Sequence, residues 1–203
     1  MKTIFLSILF SLLFYIVHAQ QHSYDFLVNQ YCQTIHKIDF EKYNKKELLQ
    51  LNTDIGKELR TQHADTIEFI IRNIESTNDS ITQMQALSIY SKHYLHDIIY
   101  HCNEYLKLNR ALVQKCPPET KSLQYITLRI NTYLSKHSEY TPQQILDSAG
   151  TKIFEYNNEI PEQVEKDYNF QFIHPKLVID YLLHHSDAFM RAWLYRQSMK
   201  LFE

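Results

Sequence analysis

Glycine is the residue whose scarcity most constrains this chain: Gly56 and Gly150 are the only two among 203 residues, about 1% against an average near 7%. Loops that cradle phosphate with backbone amides need several glycines close together. With its two glycines 94 residues apart, the chain has no P-loop, no GxGxxG fingerprint and no GxSxG nucleophile elbow. Left-handed helix ends also favour glycine. Helices here must therefore stop through Asn, Ser and Pro connections, and the shortage reads as a signature of near-continuous helix.

The apolar pattern agrees, recurring at helical spacing almost throughout without sustained period-2 alternation. The spacing predicts an all-α protein, a multi-helix bundle or short helical array of about seven to nine helices. A first helix, capped by Ser23, carries Phe26, Leu27, Tyr31, Ile35 and Ile38. Asn44 followed by Glu47 has the form of a capping box and opens a helix striped by Leu48, Leu51, Ile55 and Leu59. The same phase continues through Ile67, Ile70, Ile71 and Ile74, interrupted by Gln62, His63 and Thr66, so residues 45–75 admit one helix or two.

Residues 76–80 read STNDS, a loop in which each side chain can bond its own backbone. A long helical stretch follows, its apolar stripe carrying Ile81, Met84, Leu87, Leu95, Ile98, Cys102, Tyr105 and Leu106 and running on to Cys116, stopped by Pro117, with Pro118 opening the next helix. Thr141-Pro142-Gln143-Gln144 combines an N-cap, proline at N1 and glutamine at N3. Pro161 and Pro175 restart the chain, and Ser186 caps a last helix. The segments beginning at Tyr43 and Tyr140 both set a tyrosine and a cap before two aliphatics, a pattern that any two capped amphipathic helices share.

The first 19 residues read as an address. Lys2 supplies a positive start, residues 4–17 are apolar apart from two serines, and Val17-His18-Ala19 suits signal peptidase. Fourteen helical residues span only about 21 Å, short of the ~30 Å hydrocarbon core, so cleavage is expected rather than an anchor. The expected mature chain, residues 20–203, is a single all-α domain of net charge minus 3, secreted or periplasmic, with no transmembrane anchor. Its lysines and arginines are scattered along the sequence rather than gathered in a block, which argues against nucleic acid as a partner.

Export permits disulfides, and three cysteines allow one intrachain bridge. Cys32 and Cys102 both sit on apolar stripes and are the expected pair, followed by Cys32 with Cys116; three buried thiols are the alternative. Cys102 with Cys116 would need a helix break, because 14 residues of continuous helix separate them by about 21 Å. No CxxC or paired-cysteine zinc spacing occurs. A catalytic cysteine would need a histidine that the sequence does not place.

The one constellation with metal-binding form is His93, Asp97 and His101, spaced i, i+4, i+8 so that their side chains share a helix face where a divalent metal would bind. His96 flanks it, and His184, His185 and Asp187 form a second group. Helix-face His and Asp residues are more often solvated or bonded to each other, and no HExxH motif is present. The 15 tyrosines mostly continue helical stripes and read as core. The terminal helix from Asp187 to Glu203 mixes aromatic and basic residues, and docking on the core is its expected role. The leading expectation is a non-enzymatic protein that binds a protein or small ligand. The alternatives are a metal-binding protein and an enzyme of unrecognised class.

Overall fold

The computed structural model describes residues 24–78, 80–113, 115–159, 173–200 and 202. Among these the chain is all-α, without a strand. Helix α1 covers residues 24–36, and a 3-10 turn follows at Phe40–Lys42. Then come α2 (Lys45–Gln62), α3 (Ala64–Ser76), α4 (Gln83–His101), α5 (Asn103–Leu112), α6 (Lys121–Ser135), α7 (Pro142–Asn158), α8 (Pro175–His185) and α9 (Asp187–Met199). The chain forms two compact units, divided between Tyr105 and Leu106 within α5. The expected Ser23 cap and the Pro161 restart lie outside the described residues.

In the first unit, the Asn44 cap starts α2 where its motif predicts. Asn44 accepts from the Lys46 and Glu47 amides, and the Glu47 carboxylate takes the Asn44 N–H at 2.8 Å. Thr82 and Gln85 form the same reciprocal cap on α4. The stretch 45–75 is two helices, broken at His63 (φ −118°, ψ 27°). No side chain caps α3. The His63 ring instead meets Phe26 of α1 edge-on, with centroids 5.1 Å apart, so the break coincides with a tertiary contact. Helices α3 and α4 pack together. Leu27, Ile70 and Tyr90 form the buried cluster that joins them to α1, with Tyr24, Ile67, Ile71, Ile74 and Tyr94 around it.

Two expectations for this region are corrected. Met84 and Leu87 are 75% and 40% exposed; the buried side of α4 runs through Ala86, Tyr90, Ile98 and Ile99 instead. The helix also ends at His101 rather than continuing, because Cys102 adopts an extended backbone (φ −107°, ψ 100°). Cys102 is 1% exposed and stands opposite Cys32 with Cα atoms 5.7 Å apart, at disulfide distance. Periodicity alone does not reveal a one-residue break of this kind.

The second unit is a four-helix bundle in which α6 packs on α7 and α8, and α9 packs on the same two helices. Its core holds Ile126 and Ile130 of α6, Ile153 of α7, Val178 and Leu182 of α8, and Met190 of α9. Each such side chain contributes about 1.5–3 kcal/mol by leaving water. Thr141 caps α7 with Gln144, as its motif predicts. Ser186 caps α9 through the Phe189 amide. Helix α6 departs from expectation, starting at Lys121 rather than Pro118: Thr120 accepts from the Leu123 N–H, a bond proline has no side chain to make. Helix α9 is docked, burying Phe189, Met190, Ala192, Leu194 and Ser198.

Candidate functional sites

The residues expected to hold a metal are dispersed in their contacts. His93 lies edge-on to Tyr24, with centroids 6.2 Å apart. Asp97 Oδ1 lies 3.0 Å from Nδ1 of its neighbour His96, whose ring stacks on Tyr100 at 4.6 Å. His101 is exposed at the last position of α4. Asp187 of the second group accepts from Arg110, which also donates to the Leu183 carbonyl. Among the described residues no three His, Cys, Asp or Glu side chains converge to hold a metal ion.

Several tyrosines of the first unit are buried or half-buried. Tyr24, Tyr90 and Tyr94 stack in sequence with centroids 5.7 and 5.8 Å apart. Burial pushes the Tyr90 hydroxyl up to about 12. Burial raises Tyr24, Tyr31 and Tyr94 still further, so all four stay protonated donors at neutral pH. Tyr31 donates to Asn52 Oδ1 at 2.6 Å, tying α1 to α2.

In the second unit, His185 closes α8 and faces Cys116 from the chain before α6. Its Nε2 lies 3.4 Å from the Cys116 Sγ. Tyr181 stacks on the imidazole at 4.0 Å, and Asn131 of α6 donates to the His185 carbonyl at 3.2 Å. Burial, then the neighbouring His184, lower the His185 pKa. Burial, then Glu119, raise that of the Cys116 thiol. Both directions favour a neutral pair, a thiol facing an uncharged imidazole, over the ion pair that makes a cysteine nucleophilic. Sequence reasoning singled out each residue separately. Their meeting across 69 positions left no local signal.

Beside this pair lies an open cavity of about 500 Å³ between α6 and α8. Gln124, Tyr125 and Asn131 line it from α6, and Tyr181 and His185 from α8. Thr127 also reaches it. Thr127 is 4% exposed, and its hydroxyl is buried without a hydrogen-bond partner. An unsatisfied buried hydroxyl costs about 1–3 kcal/mol.

A second cavity, about 280 Å³, opens between α6 and α7, with Arg129, Tyr133, Lys136 and Tyr156 in its wall. Arg129 is held on two sides. Its guanidinium carbon sits 4.0 Å over the Tyr156 ring, and its Nη1 donates to the Tyr125 hydroxyl at 3.2 Å. Nearby, Lys152 lies 4.9 Å over Tyr133 and is paired with Glu155. The Tyr125–Arg129 spacing is visible on a helix; the Tyr156 platform, from another helix, is not.

Among the described residues no helix is long and apolar enough to cross a membrane. Compared with known protein families, with curated proteins and with solved structures, the chain finds no match.

Proposed function

We propose that this chain is an exported helical protein that acts by binding, and that it takes a small polar ligand in the cavity between α6 and α8. The observation that carries this reading is an open cavity ringed by the amide, phenol and imidazole groups of Gln124, Asn131, Tyr125, Tyr181 and His185. A few polar groups set around an apolar body is how small-molecule sites fix orientation, and about 500 Å³ falls within their usual size. Export is supported by the leader-like first 19 residues and by the approach of Cys32 to Cys102, a pairing that persists in an oxidising compartment.

The test is native mass spectrometry of protein purified from its own source. The polypeptide should begin at Gln20 and carry an adduct that is lost in Gln124→Trp, which fills the cavity mouth from an exposed position. A chain that retains residues 1–19 refutes export. A wild type free of adduct, or an adduct that survives Gln124→Trp, refutes the cavity as the ligand site.

The Cys116–His185 contact supports a second reading, thiol chemistry on a ligand in the same cavity. It ranks below binding because burial and Glu119 hold the thiol protonated. Alkylation of Cys116 by iodoacetamide at neutral pH faster than that of a free thiol would reverse this order.

A further inference from the structure

We propose that the cavity between α6 and α7 is a binding site for a phosphoryl dianion, with Arg129 as its principal contact and Lys136 as the second cation. The site adjoins the α6–α8 cavity, with Leu128 in both walls, but the inference does not depend on that cavity holding a ligand. Its wall contains Arg129 and Lys136 and no carboxylate. Glu155, beside Tyr156 in sequence, is engaged by Lys152.

Arg129 is half-buried. The Tyr156 ring covers one face of its guanidinium at 4.0 Å, and the Tyr125 hydroxyl takes a single N–H. A guanidinium carries five N–H donors in a rigid fork. The described residues therefore leave most of that fork without a protein acceptor, and no anion among them balances its charge. The aromatic contact holds the group in place, so little rotamer entropy remains to be lost when a ligand binds. A planar fork fixed this way suits bidentate contact with two phosphoryl oxygens, and Lys136 supplies a compact second charge. At about 280 Å³ the cavity suits a headgroup rather than a large ligand. A single such site is compatible with the absence of a basic block in the sequence, because one dianion needs two well-placed cations and not a surface.

A free phosphate, a small phosphate monoester and a phospholipid headgroup share this chemistry, so the experiment uses two probes. The purified protein is titrated calorimetrically with sodium phosphate against sodium chloride of matched ionic strength, at about pH 8, where phosphate is a dianion. In parallel it is sedimented with phosphatidylcholine vesicles with and without phosphatidic acid. The expected result is saturable phosphate binding that weakens about tenfold or more in Arg129→Gln, weakens less in Lys136→Gln, and is unchanged in Gln124→Trp. Lys136 is exposed, so its replacement should leave the fold intact and reports on the site even if Arg129→Gln disturbs packing. Binding to phosphatidic acid vesicles alone, lost in both variants, upholds the site and assigns it to a headgroup. No saturable binding of either probe, or binding unaltered by both substitutions, overturns the proposal. Loss of phosphate binding in Gln124→Trp overturns the independence of the two adjoining sites.

Discussion

Removing the link between Cys32 and Cys102 should be the most damaging small change available in the first unit. The two residues are 70 positions apart, so a bridge closes a loop containing all of α2, α3 and α4. In the chain-entropy account, a loop of about 70 residues lowers the entropy of the unfolded state by about 15 cal/mol/K, which stabilises the fold by about 4.4 kcal/mol at 25 °C. The Cα separation of 5.7 Å lies near the commonest value for bridged cysteines, about 5.5–6 Å, so backbone geometry gives no reason to discount that figure. The effect concentrates on α1, which otherwise depends on buried Leu27, Val28, Tyr31 and Ile35.

The assay is urea unfolding of Cys32→Ala/Cys102→Ala against wild type, without reductant. Far-UV circular dichroism is the suitable signal, because the single tryptophan, Trp193, lies in the other unit. With a slope of about 2 kcal/mol/M, the midpoint should fall by roughly 2 M. Intact mass of wild type should rise by two hydrogens on reduction, and Cys116→Ser should keep that difference. A midpoint within about 0.25 M of wild type, or a mass unchanged on reduction, would refute the reasoning.

Two further outcomes follow from single buried or helical positions. Thr127→Val keeps the shape of the side chain and removes a buried hydroxyl that has no partner. It should stabilise by about 1 kcal/mol, a rise of roughly 2–4 °C in thermal midpoint; a fall of similar size would show that the hydroxyl is satisfied. Gly56 lies inside α2, and an added Cβ meets no atom within 4 Å. Gly56→Ala should therefore raise stability by about 0.5–1 kcal/mol in the same melt, and a loss would mean that the position is packed.

What could be read from the sequence was whatever is settled within four or five residues. The Asn44–Glu47 and Thr141–Gln144 boxes, Pro175 at the start of α8 and the Ser186 cap are local hydrogen-bonding or steric events, and each appears where its residues predict. The likeness between the segments at Tyr43 and Tyr140 goes no further than those caps. Tyr43 is 42% exposed, whereas the Tyr140 hydroxyl lies 3.0 Å from that of Tyr133. The misread end of α4 has a tertiary cause: the break at Cys102 falls where the chain meets Cys32. The sequence leaves one helix or two open over 45–75, and the break at His63 falls where its ring meets Phe26. Spacing along α4 aligns His93, Asp97 and His101, and what the sequence does not show is their neighbours: Tyr24 lies edge-on to His93, and His96 contacts Asp97.

The glycine shortage bears on the sites as well as on the fold. Gly56 and Gly150 both lie inside helices, in α2 and α7, so neither is available to bend a loop around a ligand. Backbone amides within a helix are already bonded to carbonyls one turn earlier, and the first turns of α4 and α7 have side-chain caps that take up part of what remains. A protein built this way has to recognise ligands mainly with side chains projected from helices. The abundant tyrosines supply flat faces that can hold such groups still: Tyr181 does so for His185, and Tyr156 for Arg129. On this reasoning the composition that excludes an amide-lined phosphate loop also says how a phosphoryl group would be met here, by a guanidinium fixed on an aromatic ring.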